Sequence, residues 1–441
     1  MSTPHIVFDL PALPVATAVL VVTYVAIAIE RLNRAIVAGV GALAMIVLGV
    51  LTQDQAIAGV DFNTIMLLAG MMLVVSVARR SGMFQAVALW AVRATGGRPA
   101  SVLLALSLAT AGISALLDNV TTVLLIVPIT LAVTSELAVP AYPFLVSEIL
   151  AANVGGTATL IGDPPNIIIG SAAGLSFNDF VVTLLPVVVI ILFINSLLLH
   201  LMWRRRLQTD AGHAARVQSL RPASAITDRR LLIESTVTIG LIVAAFVVSR
   251  PLGLEAGTIA MSGAALLVLL DNWHRSPDEQ ADRIHRTFGE VEWITLFFFI
   301  GLFIIVAGVV QAGLEAHLAH AVLSLTGGNY GRMVMVVLWS AALLSSVLDN
   351  IPFVATMVPV IVGLQGTLGT RPDALWWALS LGACLGGNGT LVGASANLTV
   401  AGLGERGGTP VRFRQFSALA FPLMVMNIGI ASIYLYLRFL R

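Results

Sequence analysis

Two phrases place carboxylates and amides inside long apolar stretches. LLDNVTTVLLIVP carries Asp118, Asn119, Thr121 and Thr122; VLDNIPFVATMVP carries Asp349, Asn350 and Pro352. An ionisable side chain within an apolar run of membrane length is costly and marks function by default. Asp-Asn is also turn chemistry, because both side chains bond local backbone and tolerate unusual dihedrals. A turn at membrane depth needs shelter by protein or water. The segments 100–134 and 331–366 therefore read as re-entrant hairpins with polar tips. An ordinary loop between two full spans would use the same residues.

A second pair of phrases covers 153–170 (NVGGTATLIGDPPNIIIG) and 385–402 (LGGNGTLVGASANLTVAG). Gly155, Gly156, Gly162, Pro164 and Pro165 work against a continuous helix, so 142–170 and 374–402 are expected as broken helices. Unwinding frees backbone groups, and the half-helix ends add partial charges. Side chains able to join them are Thr157, Thr159, Asp163 and Asn166, then Asn388, Thr390, Ser395 and Asn397. Gly386 and Gly387 stand where the first copy has Gly155 and Gly156. A merely kinked helix, its glycines serving close packing, is the plain alternative.

The expected site joins both pairs of phrases. Asn119, Thr121, Thr122, Asn350 and the glycines, threonines, serine and asparagines above would hold a solute. Asp118, Asp349, Asp163 and Glu148 would carry protons, since desolvation favours the protonated form of a carboxylate. The phrases that form this expected core contain no arginine or lysine, so an anionic solute would meet uncompensated negative charge. A neutral polyhydroxyl or a cation avoids that. Sodium among these hard oxygen ligands is a second coupling ion to consider.

The elements that position these residues are membrane spans. Of 441 residues 58% are hydrophobic and 11% charged, against about a quarter charged in soluble domains. Continuous apolar runs of roughly 20 residues cross a bilayer as helices, which excludes a soluble enzyme, a nucleic-acid binder, a disordered chain and an alternating β-barrel. Ten spans are expected near 12–30, 34–51, 61–79, 142–170, 179–203, 231–250, 255–271, 291–311, 374–402 and 415–437. The first reads as a retained span, since no basic leader or cleavage site precedes it. All 24 cationic side chains are arginine, and threading the spans puts nineteen on one face and five on the other. The positive-inside rule makes the first face cytoplasmic and both termini external, in a cell (inner) membrane.

A shift of 231 residues lays the second half on the first: Thr64 on Thr295, Gly70 on Gly301, Gly82 on Gly313, Asp118-Asn119 on Asp349-Asn350, Asn166 on Asn397. Five spans per copy is an odd number, so the copies must be inverted, the arrangement of secondary transporters with a midplane site. The expected organisation is a first repeat at 1–203, a basic, solvated linker at 204–230 that can touch anionic lipid headgroups, and a second repeat at 231–441. No phosphate-binding loop supports ATP drive within the chain.

The paired Asp-Asn tips and GGTATLIGDPPN resemble the ion transporter superfamily, and within it the arsenite efflux permease (ArsB-type) branch with the plant silicic acid exporters and the pigment-cell P protein. The resemblance implies an all-α polytopic protein in which a scaffold surrounds re-entrant hairpins and broken helices, with solute between them moved by an elevator-like shift. Carboxylate transporters of the superfamily carry Ser-Asn-Thr where this chain has Asp118-Asn119-Val120 and Asp349-Asn350-Ile351. The second loop has Ala394-Ser395-Ala396 in place of Asp-Pro-Pro, so the half-sites are chemically unequal. The expectation is a non-enzymatic exporter of arsenite or antimonite in exchange for protons, without cofactor or resident metal. A sodium/proton antiporter, a silicate or dicarboxylate carrier, a passive channel and coupling to a partner ATPase are the alternatives. Cys384 reads as a packing residue, and His317 and His320 as surface.

Overall fold

The computed structural model describes residues 10–29, 31–368 and 373–441. Arg371, one of the five arginines assigned to the second face, and the N-terminal residues 1–9 lie outside them. The described residues are almost all helical and contain no strand. The first copy comprises α1 (Ala12–Ile29), α2 (Arg34–Val47), α3 (Gln53–Ala58), α4 (Phe62–Arg79) and α5 (Met83–Ala94). It continues through α6 (Pro99–Ser114), α7 (Asn119–Glu136), α8 (Tyr142–Gly156), α9 (Pro164–Ala173) and α10 (Phe177–Trp203). The connection carries α11 (Ala211–Ser219). The second copy follows with α12 (Arg229–Val247), α13 (Ser249–Leu252), α14 (Ala256–Asn272), α15 (Pro277–Gly289) and α16 (Trp293–Gln311). It ends with α17 (Leu314–Thr326), α18 (Tyr330–Ser345), α19 (Asn350–Leu368), α20 (Asp373–Gly386), α21 (Ser395–Arg406) and α22 (Phe413–Leu435).

Helix starts repeat at the offset read from the sequence: α4 and α16, α5 and α17, α6 and α18, α7 and α19, α8 and α20, and α9 and α21 each begin 231 residues apart. Local signals explain the breaks. Asp118 caps α7, its Oδ1 accepting the Thr121 amide at 2.8 Å. Gly82 and Gly313 adopt left-handed φ values of 79° and 83°, which turns the chain sharply into the short helices α5 and α17. Those two helices, and α15, are additions to the ten expected spans.

Among the described residues, seven helices are long and apolar enough to cross a membrane singly, or eight if the bent pair α17 and α18 is counted as one. The ten expected spans are recovered differently. Six are single long helices; α2 and α14 are shorter, at 14 and 17 residues; and two are the broken pairs α8/α9 and α20/α21.

The halves exchange their scaffold helices. α2 of the first copy packs along α16, and α14 of the second along α4. Glycine permits both approaches: a Cβ on Gly70 would lie 2.7 Å from the Ala260 carbonyl carbon, and one on Gly301 would lie 2.8 Å from that of Ala38. Around this scaffold, α6 packs on α8 and α18 on α20, forming the core that carries the tips.

The connection 204–230, expected as a solvated linker, is mostly exposed and is fastened to the bundle at a few points. Leu207 and Val217 are buried in the apolar cluster that includes α5, α7 and α8, Thr209 Oγ1 donates to the Leu137 carbonyl at 2.5 Å, and Gln218 donates to that of Gly96 at 2.6 Å. Two apolar residues on a polar segment suffice to dock it.

Candidate functional site

Both Asp-Asn turns arrive at one small polar chamber, lined by Asp118, Asn119, Asp163, Asn350 and Ser395, with Arg34, Glu292 and Thr295 from the scaffold. Turns joining full spans would sit on opposite faces about 30 Å apart. Their convergence identifies α6/α7 and α18/α19 as hairpins entering from opposite sides.

Each tip is fastened to the broken helix of its own copy by matching bonds. Ser114 Oγ donates to the Ala152 carbonyl at 2.7 Å, and Ser345 Oγ to that of Ala383 at 2.7 Å. Thr159 Oγ1 reaches the Ala115 carbonyl and Thr390 Oγ1 that of Ser346. Asn166 spans its loop by donating to the Thr157 and Thr159 carbonyls at 3.2 and 2.9 Å. Asn397 does the same to Gly387 and Thr390 at 2.8 and 2.9 Å. A Cβ on Gly155 would collide with the Ala111 carbonyl oxygen, and one on Gly386 would lie 2.6 Å from that of Ala342. Unwinding and close packing thus occur together, where the sequence offered them as alternatives.

The expected site residues accordingly divide by position. Asp118, Asn119, Asp163, Asn350 and Ser395 face the chamber. Asp349 lies at its edge and lines the adjoining cavity. Thr157, Thr159, Asn166, Thr390 and Asn397 have side chains occupied in holding the loops, and Gly155, Gly156, Gly386 and Gly387 supply close packing. Thr121 contributes its amide to the α7 cap. Thr122 Oγ1 is buried without a protein partner. Glu148 lies away from the chamber, bonded to Thr130 on α7 with its Oε2 unpartnered. Cys384 is fully buried, its Sγ 3.5 Å from Asn166 Oδ1. His317 and His320 are exposed, and no cluster of metal-binding side chains occurs among the described residues.

Two groups escaped the sequence reading. Asn153 joins the halves: its Nδ2 donates to Asn388 Oδ1 and Asn397 Oδ1 at 2.9 Å each, and its Oδ1 accepts from Asn119 Nδ2 at 3.0 Å. An amide in the middle of an apolar helix was the available signal. Its partner under the repeat is Cys384, so symmetry did not mark it.

The second is Arg34, which corrects the expectation of a core without cations. Counting charges places it on the first face, at the start of the span expected at 34–51. It is the first residue of α2, and its long side chain reaches inward, Nη1 lying 3.0 Å from Asp349 Oδ2 and 2.6 Å from Ser395 Oγ. Its Nη2 is 3.5 Å from Thr295 Oγ1, and the guanidinium lies 5.1 Å from the Phe298 ring centroid. Asp163 Oδ1 accepts a long 3.4 Å bond from Asn119, while its Oδ2 is buried without a protein partner.

An inverted pair of helical copies, with hairpin tips and unwound loops converging on a polar chamber inside an apolar bundle, defines a membrane transporter. The citrate transporter family model (CitMHS) matches residues 24–382. The chain belongs to that family, part of the ion transporter superfamily. It is 41% identical to a 46 kDa membrane protein of Mycobacterium leprae over 97% of this chain and 99% of that one. An uncharacterized transporter of Mycobacterium tuberculosis is likewise 41% identical, over 96% and 98%. Human P protein is 31% identical over 96% of this chain and 59% of its own length. The P-protein likeness read from the motifs is thereby borne out, and the arsenite-permease likeness continues to rest on the motifs. The fold matches the crystal structure of the Alcanivorax borkumensis YdaH transporter, with TM-score 0.61, 14% identity and 97% coverage of both chains. Neisseria gonorrhoeae MtrF matches with TM-score 0.60 and 10% identity, over 98% of this chain and 96% of that one.

Proposed function

We propose that the chain exports a small neutral metalloid hydroxide, arsenite or antimonite in its uncharged acid form, in exchange for protons. The carrying observation is the charge balance of the chamber. Asp118, Asp163 and Glu292 line it together with one cation, Arg34, which is already paired to Asp349 at 3.0 Å. A free carboxylate anion entering there meets carboxylates in excess, in a medium that screens weakly. A neutral polyhydroxyl pays no such cost and can bond to Asp163 Oδ2, Asn119 and Asn350. In this reading Asp118 and Asp349 are the first proton carriers and Asp163 and Glu148 the reserves. Repeats at 1–203 and 231–441 move a core against a scaffold by an elevator-like shift, and the arginine-rich face is cytoplasmic.

A carboxylate carrier is the second reading, favoured by Arg34 and by the family's description. A carboxylate would have to take Arg34 from Asp349. Competition separates the two. In proteoliposomes under a pH gradient, arsenite uptake should persist against a tenfold excess of citrate and fall with antimonite. Inhibition by citrate alone would transfer the assignment to the carboxylate class.

A further inference from the structure

Arg34 occupies the passage between two spaces. One is an open cavity of about 330 Å³ bordered by Ile27, Leu32, Val347 and Asp349, with Leu32 on the loop between α1 and α2 at the arginine-rich face. The other is the small chamber of Asp118, Asn119, Asp163 and Asn350. Arg34, Val120 and Ser395 border both. Arg34 also ties separate parts of the molecule. Its backbone belongs to the scaffold, while Asp349 and Ser395 belong to the second hairpin tip and to the start of half-helix α21. Tyr24 of α1 adds a neutral tie, its hydroxyl donating to the Pro352 carbonyl at 2.8 Å.

The tie is one-sided. At the corresponding place in the other half, where α14 begins beside α4, the Gly257 amide bonds Asn63 Oδ1 at 2.8 Å. Arg250, at that end, pairs with Asp179 at 2.7 Å. The chamber also meets the two scaffold helices at different heights. Pro164, at the start of α9, borders the chamber with Leu68 and Met72, well along α4. Its counterpart Ser395 borders it with Glu292 and Thr295, at the very start of α16. Leu68 and Met72 correspond to Phe299 and Phe303, so the offset is about half a dozen residues, or roughly 10 Å at the helical rise.

We propose that Arg34 is a positioning residue that gates the chamber and holds the core toward the arginine-rich face. The charged groups around it are Asp349 on the tip, Glu292 before α16, and Asp118 and Asp163 across the chamber. The ion pair with Asp349 closes the passage from the open cavity. Breaking that pair opens it and releases the second tip from the scaffold. The proposal rests on the transporter reading and is independent of which solute is carried.

The test needs neither solute nor gradient. Spin labels at Arg31→Cys, on the scaffold loop, and Glu405→Cys, at the far end of α21, report the position of core against scaffold in nanodiscs at fixed pH; native Cys384 is fully buried. The parent should give one distance population. Arg34→Gln should add a second, displaced by about 10 Å, the offset above, while Arg34→Lys should stay with the parent. Asp349→Asn removes the same pair from the other side and should reproduce the Arg34→Gln result, which protects the test if one variant folds poorly. Unchanged distances in both Arg34→Gln and Asp349→Asn would overturn the proposal. An equal displacement in Arg34→Lys would also overturn it, by assigning the effect to lost packing over Phe298. Failure of arsenite flux in the parent would count against the proposed substrate and leave this measurement intact.

Discussion

Asp118 and Asp349 are equivalent under the repeat, yet their surroundings differ. Asp349 Oδ2 is held by Arg34 and Ser395. Asp118 has its Oδ1 engaged by the Thr121 amide and no arginine beside it. The carboxylate without a salt bridge is the better proton carrier, because no ion pair holds it in the charged form. Asp118→Asn keeps the helix cap, since asparagine caps as well as aspartate. It should abolish acceleration of arsenite transport by a pH gradient while arsenite binding, followed by calorimetry, persists. An unchanged pH dependence would move the proton carrier to Asp349, and the same result in Asp349→Asn would move it to Asp163 or Glu148. The polar tips and loops were legible because charge and helix breakers stand out in apolar sequence. Arg34 was not, because a counting rule assigns each arginine to a face and cannot see how far a side chain at a helix start reaches inward.

At the scale of elements, glycine, proline and Asp-Asn signals located the breaks to within a few residues, and the constant offset carried each break from one copy to the other. The docked linker, α5 and α17 went unread, because short amphipathic helices leave only a weak periodic trace. The hairpins yield a topological test. In the proposed topology the second tip enters from the arginine-poor face, yet Val347 beside it is exposed and borders the cavity that reaches Leu32 and Arg34 on the other. A cysteine at Val347 should therefore react with an impermeant thiol reagent applied from the arginine-rich side in the absence of solute. Reaction confined to the other side would show that the segment spans the membrane in the ordinary way.

Over the whole molecule, inverted copies that exchange scaffold helices place one chamber between two nearly equivalent supports. The chamber meets α4 well along its length and α16 at its very start, so the structure is a one-sided state of a symmetric frame. The odd number of spans per copy made the inversion readable; the height of the chamber on each scaffold helix did not follow from sequence, since either height satisfies the same apolar pattern. Exchange of a neutral hydroxide for a proton moves one charge per cycle, so either a pH difference or an electrical potential alone should drive it. The decisive measurement is arsenite flux in proteoliposomes with pH, sodium and electrical gradients imposed one at a time. The account predicts accumulation against the arsenite gradient with a pH gradient alone and with a potential alone, and none with a sodium gradient alone. Accumulation that requires sodium, or movement only down the arsenite gradient under every condition, would contradict it.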